Sequence, residues 1–114
     1  MIQKIGIDIT CNKRYKVFIK TNKLDKILSS KEILIYNQIT NDSRKIEYIA
    51  SRFASKEALY KAYGKTFSFN EVSVLNKEDG TPYFEAEFLK ELIVFLSISH
   101  EKDNSIAFVI IERA

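Results

Sequence analysis

The sequence predicts an α+β fold: three helices in the N-terminal half, the last of them long and central, packed on a mainly antiparallel sheet. Three observations point there. One helical periodicity runs unbroken from about Ser43 to Tyr63 and stops at Gly64, a residue suited to a left-handed cap. Beyond it the chain consists of β-branched and aromatic runs separated by turn signals. A single proline and three glycines leave no linker-like stretch, so the chain reads as one domain over 1–114.

Taken in order, Ile2, Ile5, Ile7 and Ile9, with Gly6 and Asp8 between them, read as a β-strand with Asp8 near its C-terminal end. From Asn12 to about Lys20, basic residues are offset from Tyr15, Val17, Phe18 and Ile19, which predicts a basic helix. Ser29 precedes Glu32 by three residues, a capping-box signal for a second helix reaching about Gln38. Asn41 or Asp42 caps the third helix. Phe67 to Leu75 alternates as a strand, Glu78-Asp79-Gly80 turns, and Pro82 to Glu87 returns, with the proline at the strand start. A short helical piece is expected around Phe88 to Leu92. Ile93 to Ser99 and Ser105 to Glu112 then form two strands joined by Lys102-Asp103-Asn104.

Composition narrows the function. With 46% hydrophobic and 29% charged residues the chain is globular, and no apolar run approaches membrane-spanning length. The opening residues lack a charged-then-apolar leader, so a cytoplasmic location is expected. Cys11 stands alone, which excludes an internal disulfide and a cysteine-built zinc site. A net charge of +3 is too small for a dedicated nucleic-acid binder but suits an acidic protein partner or a polyphosphate ligand.

The candidate chemistry begins with Glu57. At about 100° per residue, Ile46, Ile49, Ala50, Phe53 and Tyr60 share one helix face, and Glu57 projects from the middle of it. Lys61 follows one turn later at the edge. The same spacing also describes an ordinary surface ion pair. Asp8 and His100 add a second carboxylate and the only histidine from opposite ends of the chain.

Three segments, in this order, resemble the holo-acyl-carrier-protein synthase family, the short 4′-phosphopantetheinyl transferases. They are Gly6-Ile7-Asp8-Ile9; Arg52-Phe53-Ala54-Ser55-Lys56-Glu57-Ala58 continuing through Lys61-Ala62-Tyr63-Gly64; and Ser97-Ile98-Ser99-His100. Gly80-Thr81-Pro82 and the closing Ala107-Phe108-Val109-Ile110-Ile111-Glu112 are similar to further family segments. The resemblance implies the 4′-phosphopantetheinyl transferase fold and Mg²⁺-dependent transfer of 4′-phosphopantetheine from coenzyme A to a serine of apo acyl carrier protein. Adenosine 3′,5′-bisphosphate is released, and the reaction serves fatty acid biosynthesis. It makes Asp8, Glu57 and Lys61 the catalytic residues, with Asp8 and Glu57 holding the metal. Arg52, Lys56, Lys61, Gly64, Pro82 and His100 become the cofactor-binding set, and Lys13 and Arg14 meet the carrier protein. Family members are commonly homotrimers with sites at subunit interfaces, which allows Asp8 and Glu57 to come from different subunits. Two departures stand out: Lys65-Thr66-Phe67 replaces a glycine-rich loop, and Cys11 stands where an acidic residue is frequent.

The residue types suit that chemistry. Cleaving a pyrophosphate requires neutralising charge on both sides of the broken bond, and Mg²⁺ needs only one or two protein carboxylates besides phosphate oxygens and water. Lys61 is placed to offset or protonate the bridging oxygen; the serine proton goes to Glu57 or to a metal-held water. For His100, phosphate binding competes with a purely structural strand-end role. The alternative function is a non-catalytic module for a phosphate ligand or RNA, and a metal-dependent phosphohydrolase is the third reading.

Overall fold

The computed structural model describes residues 1–21 and 23–113. Strand β1 (Ile2–Cys11) pairs antiparallel with β5 (Asn104–Arg113), and β5 pairs antiparallel with β4 (Leu92–His100), giving a sheet ordered β1-β5-β4. A separate hairpin joins β2 (Ser73–Asn76) to β3 (Pro82–Glu85) around Gly80, whose φ of 91° lies in the left-handed region. The helices are α1 (Lys16–Ile19), α2 (Ser30–Tyr36) and α3 (Asp42–Tyr63). No helix among the described residues is long and apolar enough to cross a membrane.

Helix α3 begins where Asn41 Oδ1 accepts from the Arg44 N–H at 3.1 Å, and ends at Gly64 with φ 81°. It carries two cores. Its first half contributes Tyr48, Ile49 and Ala50 to a cluster with Tyr15, Ile27, Leu28 and Tyr36. Its second half lays Ala54, Ala58, Leu59 and Ala62 against Val109, Ala107 and Ile111 of the sheet. Small residues at i, i+4 and i+8 let helix and sheet main chains approach closely, and Gly6 of β1 completes that approach. An added Cβ at Gly6 would lie 2.0 Å from the Ala58 carbonyl oxygen.

Several expected elements are reshaped. The basic helix over Asn12–Lys20 is a 3₁₀ turn (Asn12–Tyr15) followed by the single turn of α1. Neither piece has a side-chain cap, and Asn12 is tied instead to the Glu101 and Lys102 carbonyls and to Ser105. Helix α2 carries the expected capping box at Ser29 but ends at Tyr36, two residues short of Gln38. The strand expected over Phe67–Leu75 begins only at Ser73, because Ser68 and Glu71 cap a 3₁₀ turn over Phe69–Glu71. Phe67 and Phe69 spend their side chains on an aromatic cluster with Tyr60, Tyr63, Phe53 and Phe88. The return strand stops at Glu85, and the short helical piece sits at Glu87–Leu89.

Glu32 ties the layers together and is fully buried. Its Oε1 accepts from the Ser29 N–H at 2.8 Å and from Lys56 Nζ at 2.5 Å, while its Oε2 accepts from the Val74 N–H at 2.7 Å. On the opposite face of the large sheet, Ile5, Ile7, Ile9, Phe95, Ile106 and Phe108 are exposed. Six large apolar side chains on one sheet face form the kind of patch that marks an interaction surface.

Candidate active site

Gly6, Asp8 and Thr10 alternate on the inner face of β1, so the close approach at Gly6 also fixes how Asp8 meets α3. Lys61 Nζ reaches back across the gap, donating to the Ile7 carbonyl at 2.9 Å and to Asp8 Oδ1 at 3.3 Å. Glu57, one turn earlier, joins them. Burial pushes its carboxyl above the ordinary value, the Asp8 charge pushes it further, and Lys61 partly offsets both. Asp8, Glu57 and Lys61 therefore share one locus within a single chain, and the expectation that the carboxylates could come from different subunits is unnecessary. Behind them the Tyr15 hydroxyl bonds Thr10 Oγ1 at 2.7 Å, and burial raises its pKa.

The expected setting of Glu57 needs correction. It lies on the flank of α3 rather than amid a buried stripe: Tyr60 is 42% exposed and the Lys61 side chain 52%. The buried face of this half of the helix is the alanine row, because only small residues fit the gap that Gly6 leaves.

A second locus gathers around a cavity of about 450 Å³ lined by Arg44, Glu47, Arg52, Asn76, Pro82 and His100. The Arg52 guanidinium lies 4.1 Å from the Tyr48 ring centroid and donates to Ser51 Oγ at 3.1 Å, Val74 O at 3.3 Å and Asn76 Oδ1 at 3.0 Å. Its Nε is buried without an acceptor among the described residues. His100 Nδ1 stands 3.8 Å from Glu47 Oε2. Five residues separate Arg52 from Glu57, so their side chains leave α3 about 140° apart. Within one chain, Arg52, Pro82 and His100 thus face away from Asp8, Glu57 and Lys61.

Two members of the expected cofactor set stand elsewhere. Lys56 is fully buried, and its ammonium donates to Glu32 Oε1, to Ile27 O at 2.7 Å and to Phe69 O at 3.0 Å. All three donors are used, so Lys56 is a structural cation and not a phosphate ligand. Gly64 caps the far end of α3, outside the cavity. Lys13 and Arg14 are exposed on the 3₁₀ turn after β1. Arg44 went unnoticed in the sequence, although a signal was present. It occupies the first turn of α3, where a cation opposes the helix dipole and so calls for another reason to be there.

The donor set at Asp8 and Glu57 is two carboxylates, and no group of three or more His, Cys, Asp or Glu gathers among the described residues. Hard oxygen donors in so small a number suit Mg²⁺, which keeps water and substrate phosphates as its remaining ligands.

The chain is similar to known proteins over almost its whole length. The family described as the 4′-phosphopantetheinyl transferase superfamily matches residues 4–109. A holo-[acyl-carrier-protein] synthase of Staphylococcus saprophyticus is 41% identical over 98% of this chain and 99% of its own length. One from Petrotoga mobilis is 36% identical over 97% of each. The crystal structure of a holo-(acyl-carrier-protein) synthase from Bacillus anthracis, in complex with CoA (3′,5′-ADP), superposes with a TM-score of 0.91 at 36% identity. That match covers 100% of this chain and 99% of the other. With its two carboxylates and lysine on the Gly6 approach, and a likeness spanning almost its whole length, the chain belongs to the holo-[acyl-carrier-protein] synthase family of the 4′-phosphopantetheinyl transferase superfamily.

Proposed function

We propose that this enzyme transfers 4′-phosphopantetheine from coenzyme A to a serine of apo acyl carrier protein. Adenosine 3′,5′-bisphosphate leaves, Mg²⁺ is held by Asp8 and Glu57, and the reaction primes fatty acid biosynthesis. The observation that carries this reading is Lys61 Nζ bonded to Asp8 Oδ1 at 3.3 Å one helical turn from Glu57, whose carboxyl is pushed up first by burial and then by the Asp8 charge. Such an arrangement is built for a cation and a polyphosphate.

When bound, the metal supplies charge neutralisation on the pyrophosphate. The chain's own groups do the rest. Lys61 holds an ammonium beside Asp8, where it can offset or protonate the departing oxygen. Glu57, whose carboxyl burial pushes above its ordinary value, is positioned as a proton acceptor for the attacking serine hydroxyl. Arg44 and Arg52 offer cationic donors, and His100 a ring N–H, to the nucleotide's phosphates from the second cavity, and Pro82 shapes its wall. Lys13 and Arg14 dock the acidic carrier.

Because the two loci leave α3 on different sides, a complete site is best formed between copies, with the cavity of one chain facing the Asp8 locus of the next. The exposed Ile5, Ile7, Ile9, Phe95, Ile106 and Phe108 face supports a homotrimer assembled through the outer sheet surfaces. The direct test incubates the protein with coenzyme A, Mg²⁺ and apo carrier, followed by intact-mass measurement. A gain of one phosphopantetheine on the carrier is expected. An unmodified carrier, or coenzyme A consumed without the carrier, refutes the reading.

A further inference from the structure

Where α3 ends against the sheet, a cavity of about 310 Å³ opens on the side away from the nucleotide-facing hollow. Its floor is apolar: Ala62 is fully buried, Ile111 nearly so, and Leu92 and Phe88 pack on the main core. Its rim is cationic, with Lys4, Lys65 and Arg113 among the lining residues and no side-chain carboxylate there among the described residues. None of these three cations forms an ion pair among the described residues.

Part of that charge has a local use. Lys4 Nζ lies 3.3 Å from where a Cβ of Gly64 would be, and Lys65 Nζ lies 5.8 Å from the Tyr63 ring centroid, so both complement the negative end of α3. Arg113 has no such contact among the described residues. Three like charges around one apolar hollow repel each other, and an anion seated among them removes that repulsion. The volume is at the low end of small-molecule pockets, about 300–1,000 Å³, which excludes a two-tailed lipid and admits one short chain.

We infer that this cavity binds an amphiphilic anion, a medium-chain alkyl carboxylate whose head meets Lys4, Lys65 and Arg113 and whose tail covers Ala62, Phe88, Leu92 and Ile111. The inference stands apart from the transferase reading and survives its failure. Octanoate, octanol and acetate, titrated into the full chain below micellar concentrations and followed by calorimetry and amide NMR shifts, test it. Octanoate binds at least about tenfold tighter than acetate, which lacks the tail, and than octanol, which lacks the charge. Its shifts fall on Lys4, Lys65, Phe88 and Leu92. A variant carrying Lys4→Gln, Lys65→Gln and Arg113→Gln, all exposed side chains, stays folded with a cooperative melt and weakens octanoate about tenfold. Equal binding of acetate or octanol overturns the inference, as does no binding of octanoate. Shifts confined to Phe95 and Phe108, or unchanged affinity in the triple variant, overturn it too.

Discussion

Replacing Gly6 by alanine tests whether the approach of β1 to α3 builds the site. The new Cβ would lie 2.0 Å from Ala58 O, 2.9 Å from Ala62 N and 3.0 Å from Ala58 C. All three are main-chain atoms, so no rotamer relieves the clash. Ordinary contact begins at 3.4 Å, and the strand must therefore retreat by about 1.4 Å. Asp8 rides on the same face two residues on, and its 3.3 Å contact with Lys61 does not survive that shift. Displacement of catalytic groups by about 1 Å costs about 10²-fold, and overpacking costs about 1–3 kcal/mol. Transfer to the carrier, read by intact mass over time, should fall about 100-fold in kcat/KM, with a melting temperature lower by roughly 5–15 °C. Adding Ala58→Gly should rescue neither, since the obstacle is the carbonyl and not the Ala58 methyl. Activity within about threefold of the parent, or rescue by the second substitution, refutes the reasoning.

Glu57→Gln should reduce transfer about 10²–10³-fold while raising the melting temperature of the metal-free protein. The raised Glu57 pKa means that the fold favours its neutral form. The stability this confers is full below the ordinary carboxylate value and is lost as pH rises through the raised one, so at neutral pH the ionised group opposes folding. Added Mg²⁺ should raise the melting temperature of the parent and not of Glu57→Gln; equal responses exclude Glu57 as a ligand. Lys56→Met strands a buried carboxylate and two carbonyls, and denaturant titration should give a loss of about 3–5 kcal/mol. The double variant with Glu32→Gln should lose less than the two single losses combined, and simple additivity would contradict the ion-pair account. Raising ionic strength should raise KM for the carrier in the parent and less so in Arg14→Ala, and a flat salt response rejects electrostatic docking.

The ends of α3 were plain in the sequence, because Asn41 and Gly64 act through local rules that need no tertiary partner. The β2–β3 hairpin and the pairing of the last two strands followed from turn residues in the same way. Burial on α3 did not. Hydrophobic periodicity weights Ile46, Phe53 and Tyr60, yet the tightest packing falls on Ala54, Ala58 and Ala62, whose small size matters more than their hydropathy. The adjacent Lys56 and Glu57 were both read as site residues, and only the positions of Glu32 and Asp8 reveal which points inward. Phe67 and Phe69 alternate as a strand would, but the caps at Ser68 and Glu71 and the aromatic cluster prevail over that alternation.

Glu32 has a consequence for how the molecule opens. One carboxylate grips the start of α2, the middle of α3 and the first residues of the hairpin, and it is sealed from water. Freeing any one of these segments exposes the same buried charge, so partial unravelling beside the Arg52 cavity carries a large penalty of its own. The wall of the cavity around Arg52 and Pro82 is thereby rigidified from behind, leaving mobility to its side chains.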